Sequence, residues 1–277
     1  MFHQYNISLR PLLLNTDTAQ YAAQMLNTLF TESIGAARPV LIVHGLYGSG
    51  RNWGVIAKRL SDRGPVMTVD QRNHGDSFWS DSHSYHDMAN DLAEVIMSNS
   101  GPMDVVGHSM GGKAAMVLAL TRPELVERLI VADIAPVAYT HTQLQFIKAM
   151  RAVDLSKVEK RSDASEQLAA HVDDPTLQAF FTQSLDVKGK RWKLNLDALE
   201  AEMSNILGFP QVDGVFEKPT FFLSGATSDY VTPDARPVIK QLFPMARFAK
   251  IPGAGHWLHA EKPREFEASV RAFLDRD

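Results

Sequence analysis

A serine set between glycines, Gly107-His108-Ser109-Met110-Gly111, is the first place in this sequence where residue type and spacing suggest chemistry. The strand-like run Met103-Asp-Val-Val106 precedes it, and a small-residue-rich helical stretch from Met110 to about Leu120 follows. A strand that turns sharply into a helix through G-x-S-x-G holds its serine in strained backbone geometry, exposed at the end of the strand. Only small side chains fit beside such a turn, and Gly107, Gly111 and Gly112 meet that demand. Ser109 then stands at the amino end of a helix, whose dipole favours negative charge. A glycine-rich turn carrying an idle serine is the bland alternative; the strand before and the helix after favour the reactive one.

A serine hydroxyl is a poor nucleophile at neutral pH and needs a positioned base. Of the ten histidines, His256 is the best placed. It lies in the glycine-rich loop Ile251-Pro-Gly-Ala-Gly-His-Trp257, between the last strand and the last helix, and so on the same sheet edge as Ser109. His259 is expected to cap the following turn, and His108, inside the elbow, to point away from the serine. An acyl oxyanion needs two preorganised backbone donors. One is the amide of Met110, directly after the serine. The other is expected from the loop His44-Gly45-Leu46-Tyr47-Gly48, with Leu46 the best-placed amide. For the acid that would orient the histidine, Asp133 and Asp229 both follow strands on the same edge, and position alone leaves both open. Asp70 and Asp76 read as residues that structure their own loop.

These residues need a sheet to hold them. From Pro39 onward short apolar runs alternate with amphipathic stretches: Val40–Val43, a helix near 53–60, Pro65–Val69, and a helix from 84 to 98 with Ser84 and Asp87 placed to cap it. Met103–Val106, the small-residue helix and Leu129–Ala132 continue the series. Fully apolar strands separated by helices predict a parallel sheet covered on both faces, an α/β fold. From about 135 to 215 only helical patterns are found, and alternation resumes with Thr220–Leu223, a helix opening at Thr232-Pro233, the strand Ala246–Ile251 and a last helix from Pro263 to Leu274. The chain has 277 residues, 45% apolar and 22% charged, which suits one large soluble domain with an insertion. Its 28 Lys and Arg against 32 Asp and Glu give no reason to expect nucleic acid as a partner. Cysteine is absent, which excludes disulfides and thiolate-ligated metals. No run approaches the roughly 18 apolar residues of a membrane span, and the start lacks the pattern of a signal peptide, so a cytoplasmic location is expected.

The stretches Val43-His-Gly-Leu-Tyr-Gly-Ser49, Val69-Asp-Gln-Arg-Asn-His-Gly-Asp-Ser77, Gly107-His-Ser-Met-Gly-Gly-Lys-Ala114, Asp133-Ile-Ala-Pro-Val137 and Gly253–Pro263 together resemble the α/β-hydrolases, and more narrowly the bacterial esterases of the YbfF type. The resemblance runs from near Met25 to the end. It implies an α/β-hydrolase fold: a mostly parallel central sheet with helices on both faces and an all-helical lid inserted after the sixth strand. The divisions expected are an extension at 1–24, dispensable for activity, a core of 25–134 and 216–277, and a lid at 135–215. It also implies a serine hydrolase cleaving carboxylic esters of short to medium acyl chains through an acyl-enzyme, with Ser109 as nucleophile and His256 as base. Within the YbfF-like group the acid corresponds to Asp133; the wider superfamily pattern keeps Asp229 as the alternative, and Ser228 is a candidate support. Acyl-CoA thioester hydrolysis and acyl transfer to an alcohol would use the same groups. A non-catalytic binding protein on this fold would normally lack part of the triad.

Substrate contacts are expected from Tyr47, Trp257 and the lid aromatics Phe180, Phe181 and Trp192. Phe146 and Phe209 read as helix packing. No cofactor and no metal are expected; His83-x-x-His86-Asp87 has a metal-like spacing but no further ligands nearby, and a capped helix start explains it. The cations Lys188, Lys190, Arg191 and Lys193 read as a solvated turn of the insertion, with contact to the phosphates of an acyl-CoA as the functional alternative. The partner expected is thus a small acyl ester or thioester.

Overall fold

Short apolar strands with no polar face must be covered on both sides, and here they are. The structure, a computed structural model, describes residues 25–99 and 101–276. The strands are β1 (Thr28–Thr31), β2 (Val40–Val43), β3 (Val66–Val69), β4 (Met103–His108), β5 (Val126–Ala132), β8 (Thr220–Gly225) and β9 (Ala246–Ile251). They form one seven-stranded sheet in the order β1-β3-β2-β4-β5-β8-β9, parallel except for β1, which pairs antiparallel with β3 at the edge.

Side chains alternate between two core layers with the period of two that a strand dictates. Leu41, Val43, Val105, Leu129 and Val131 face one layer, packed with the helices α2 (Tyr85–Ser98) and α3 (Met110–Thr121). Val40, Ile42, Val106, Ile130 and Ala132 face the other, packed with α1 (Gly54–Leu60) and a C-terminal helix, Pro263–Leu274. The start of α2 is as the sequence predicts: the Ser84 hydroxyl accepts the Asp87 amide at 3.2 Å. β1 lies before the point where the sequence alternation becomes readable, because four half-exposed residues give no periodic signal.

Between β5 and β8 come α4 (Leu144–Ala152), α5 (Arg161–Leu168), α6 (Pro175–Gln183), α7 (Leu196–Ala201) and α8 (Met203–Leu207). Asp174 caps α6, accepting the Thr176 amide at 2.7 Å, with Pro175 in the first turn. Two expectations need correction. The segment is not purely helical: β6 (Leu185–Asp186) and β7 (Arg191–Trp192) pair as a small antiparallel hairpin, two residues a side and too short to show a strand period. Among the described residues the segment also follows the fifth strand of the chain rather than the sixth. The expected extension at 1–24 lies outside the described residues. After β8 come α9 (Arg236–Leu242), β9, α10 (Leu258–Glu261) and α11 (Pro263–Leu274). No helix among the described residues is long and apolar enough to cross a membrane.

The strand order reverses around β2 and β4, since the chain moves from β2 outward to β3 and then returns to β4 on the other side. At such a switch point the loops after neighbouring strands part and leave a crevice at the carboxyl edge. The loops after β2, β4, β5, β8 and β9 all open there.

Candidate active site

Ser109 leaves β4 with φ 52° and ψ −122°, a left-handed conformation that non-glycine residues rarely adopt and that costs about 1–3 kcal/mol. Packing enforces it. A Cβ on Gly107 would lie 2.5 Å from the Gly111 carbonyl, and one on Gly111 would lie 2.4 Å from the His44 carbonyl, so α3 closes onto β2 and β4 only because both are glycine. The Ser109 amide donates to Ala132 O at 3.0 Å and the Lys113 amide to Ser109 O at 3.1 Å, fixing the turn from both sides.

β5 lies beside β4 with His108 opposite Ala132, so the residue after each strand arrives at the same level of the edge. Asp133 is that residue on β5, and it too has a positive φ, 52°. Its side chain is fully buried. The glycine-rich loop after β9 carries His256 back over both. His256 Nδ1 lies 2.8 Å from Asp133 Oδ2, and Nε2 lies 3.0 Å from Ser109 Oγ. An ionised carboxylate can only accept, so the proton sits on Nδ1 and Nε2 presents its lone pair to the serine hydroxyl. Asp133 is further held by the Gly225 amide at 3.0 Å and by the Ser228 hydroxyl at 2.5 Å. The His256 ring therefore meets Asp133. Asp229 is exposed and makes no hydrogen bond to it among the described residues.

Two backbone donors flank the serine. Met110 is the first residue of α3, and the first amides of a helix have no partner within it. The loop carrying Leu46 lies against Ser109: a Cβ on Gly45 would come 3.2 Å from the serine Cβ. Three imidazoles hold this loop and its surroundings. His44 Nδ1 donates to Gly45 O at 2.8 Å while its Nε2 accepts the Gln71 amide at 3.0 Å. His74 donates from Nδ1 to Arg72 O at 2.9 Å and accepts the Tyr47 amide on Nε2 at 3.2 Å. His108 donates to the His256 carbonyl at 2.9 Å, behind the serine as the elbow predicts. Burial, reinforced by neighbouring imidazoles, depresses the pKa of His74 and His108 well below the ordinary value. His259 does not act as a cap. It is buried, stacked on Trp53 at 4.0 Å, and burial pushes its pKa down to about 3.

A cavity of about 320 Å³ opens onto Ser109 and His256. Leu46, Tyr47, Met110, Trp257, Phe180 and Phe181 line it, and Phe146 joins them. Trp192 does not, contrary to expectation: its side chain is buried, and its indole N–H donates to Met150 O at 2.9 Å. None of Lys188, Lys190, Arg191 and Lys193 lines the cavity. Lys193 pairs with Asp76 at 2.6 Å, Arg191 with Asp186 at 3.4 Å, and Lys190 donates to Val158 O. Asp70 does structure its loop, accepting from Asn27, Gly50 and Asp76. His83 is buried against Asn73 and Met110, and no set of three metal-ligating side chains gathers among the described residues.

Sequence reasoning missed Tyr230 and Lys113. The Tyr230 ring stacks on His256 at 4.0 Å, its amide points at Ser228 Oγ, and its hydroxyl meets His141 Nε2 at 2.7 Å. Burial, followed by the charges of Asp133 and Asp229, pushes its pKa up to about 12. Its only sequence signal is adjacency to Ser228 and Asp229. Lys113 is a lone cation in an otherwise apolar helix, a signal that was legible.

A family profile described as alpha/beta hydrolase fold matches residues 38–263. The sn-1-specific diacylglycerol lipase ABHD11 of Mus musculus is 42% identical over 247 residues, covering 85% of this chain and 80% of its own. Esterase YbfF of Escherichia coli K12 is 34% identical over 239 residues, covering 86% and 93%. A solved structure titled marine microorganism esterase superposes with a TM-score of 0.85 at 40% identity, covering 90% of this chain and 99% of that one. With this sheet order, elbow and sequence likeness, the chain belongs to the α/β-hydrolase family, in the branch that includes the YbfF-type esterases.

Proposed function

We propose that the protein is a serine hydrolase of carboxylic esters with short to medium acyl chains, and that Ser109, His256 and Asp133 are its catalytic residues. The observation that carries this reading is the single line of contacts from Asp133 through His256 to Ser109, at 2.8 and 3.0 Å. Ser109 Oγ bonds to the acyl carbon as His256 Nε2 takes its proton; Asp133 holds the resulting imidazolium. The amides of Leu46 and Met110 receive the oxyanion. His256 then gives its proton to the departing alkoxide, leaving an acyl-serine and a free alcohol. It next deprotonates a water that attacks the acyl carbon, and Ser109 leaves with the proton as the carboxylic acid forms.

A carboxylesterase acting on small esters is favoured over a diacylglycerol lipase by the cavity, whose 320 Å³ is at the small end of ligand sites. The lipase reading rests on likeness to relatives such as the mouse sn-1-specific diacylglycerol lipase. An acyl-CoA preference draws no support from the basic turn, which stands outside the cavity. Acyl transfer to an alcohol would differ only in the group that attacks the acyl-serine.

A fluorophosphonate probe and a panel of p-nitrophenyl esters from acetate to decanoate, alongside a diacylglycerol, test the assignment. Labelling at Ser109 and loss of both labelling and hydrolysis in Ser109→Ala are expected. Full rates in Ser109→Ala on every ester would refute the mechanism, and preference for the diacylglycerol over all small esters would move the substrate class.

A further inference from the structure

Lys113 is 1% exposed, one helical turn beyond Ser109 on α3. Burial holds its ammonium down to about 7, and no carboxylate offsets that burial. Its partners are carbonyls. Nζ donates to Leu207 O at 2.9 Å and to Gly208 O, and approaches Ile206 O at 3.5 Å. These carbonyls close the carboxyl end of α8, where a helix leaves oxygens without amide partners and where a cation suits the dipole. Two tyrosines complete the enclosure. Nζ sits 4.8 Å from the centre of the Tyr139 ring and 5.7 Å from that of Tyr85. The Tyr85 hydroxyl donates to Ile206 O at 2.6 Å and the Tyr139 amide to Leu207 O at 3.0 Å. Both tyrosines are raised by burial and stay neutral, so Lys113 is the one group of the cluster that can carry a charge near neutral pH.

Ile206 and Leu207 line the cavity beside Lys113, Tyr85 and Tyr139. Ile206, Tyr85 and Lys113 are almost fully buried, whereas His141 and Thr142 on the same cavity are exposed, so the cluster walls a buried part of the cavity and not its mouth. With its N–H groups directed at carbonyls, the lysine presents its methylene stem to the cavity rather than a donor to a substrate.

We propose that Lys113 is a specificity-determining positioning residue: by clamping the carbonyls of residues 206–208 it fixes the inner wall of the cavity and limits the length of acyl chain accepted. The inference deepens the ester-hydrolase reading and rests on it. In Lys113→Met the stem remains and the lysine donors are lost, so the end of α8 is held only by the Tyr85 hydroxyl and the Tyr139 amide, can withdraw, and the cavity deepens. Tyr85→Phe removes a single donor to the same segment and keeps the ring.

The test is the ratio of kcat/KM for p-nitrophenyl decanoate to that for the acetate, measured on the full chain. Lys113→Met should raise this ratio about tenfold, since Gly208 O loses its donor and Leu207 O keeps only the Tyr139 amide, and Tyr85→Phe should raise it by a smaller factor of about three. The ratio divides out any common loss of catalytic power, which a purely structural role would produce. Equal losses on all esters, or an unchanged ratio in both variants, would overturn the proposal. If Lys113→Met does not fold, Tyr85→Phe decides alone. Absence of hydrolysis in the wild type would instead refute the ester reading, and this inference with it.

Discussion

Replacing Asp133 by asparagine keeps the shape of a buried side chain and removes half of its accepting capacity. Three donors converge on the carboxylate: the His256 ring at 2.8 Å, the Ser228 hydroxyl at 2.5 Å and the Gly225 amide at 3.0 Å. Asparagine has one oxygen and can be placed two ways. With the oxygen toward Gly225, its NH2 faces His256 Nδ1, which must then accept. The ring proton moves to Nε2, and the lone pair that would take the Ser109 proton is gone. That tautomer loss is worth about 10⁴ in kcat, roughly 5 kcal/mol of barrier. With the oxygen toward His256 and Ser228, the NH2 instead confronts the Gly225 amide, donor against donor in a fully buried place, which costs about 1–3 kcal/mol. Only the first placement removes the base, and it is favoured because the second sets two donors against each other in a buried place. Steady-state hydrolysis of p-nitrophenyl butyrate at pH 7.5 should therefore fall three to four powers of ten in Asp133→Asn, on the scale of that tautomer loss. Asp229→Asn, an exposed change, should stay within about twofold. A melting curve on each variant separates lost chemistry from lost fold. Near-wild-type turnover in a folded Asp133→Asn, with collapse in Asp229→Asn, would refute the reasoning and move the acid to Asp229.

Three further outcomes follow from the same geometry. His74→Leu removes the acceptor of the Tyr47 amide, one residue beyond the proposed oxyanion donor Leu46; kcat should fall about 5- to 150-fold with kcat/KM falling in step, and an unchanged kcat would show the loop holds itself. Burial depresses the pKa of His44, His74, His83, His108 and His259, with His83 and His259 at about 3. Protons therefore bind the unfolded chain more readily below about 6.5, so stability that is complete above that pH is lost as it falls; for His83 and His259 the loss continues toward pH 3, at about 1.4 kcal/mol per unit each. Calorimetry should show the melting temperature dropping steeply from pH 6.5 to 5; a flat profile would contradict the neutral, buried assignment. Replacing Lys188, Lys190, Arg191 and Lys193 together by glutamine should leave the ratio of KM for an acyl-CoA to that for an uncharged thioester unchanged, because none of the four lines the cavity; a selective rise for the acyl-CoA would restore the phosphate-patch reading.

The elements that make the sheet were readable from the sequence because their signals are local. Val40–Val43 and Leu129–Ala132 are apolar on both faces, which only a covered parallel strand tolerates, and Gly107, Gly111 and Gly112 around Ser109 carry the steric demands of one sharp turn. The carboxyl-edge placement of Ser109, Asp133 and His256 followed from the same order of strands and loops. What lay beyond the sequence depends on lateral neighbours. Asp133 and Asp229 both follow strands on that edge, but β5 lies next to β4 and β8 lies one strand further, so the imidazole reaches Asp133 while Ser228 comes in behind the carboxylate. Trp192 looks like any other insertion aromatic until the pairing of Leu185 with Trp192 turns it inward onto Met150. The same holds for the stacking of Tyr230 on His256 and for the carbonyls that Lys113 binds some ninety residues away in the chain. Periodicity and turn chemistry report on a few consecutive residues; which distant side chains meet is settled by strand order and by the packing of the insertion on the sheet edge, and only the tertiary structure contains those.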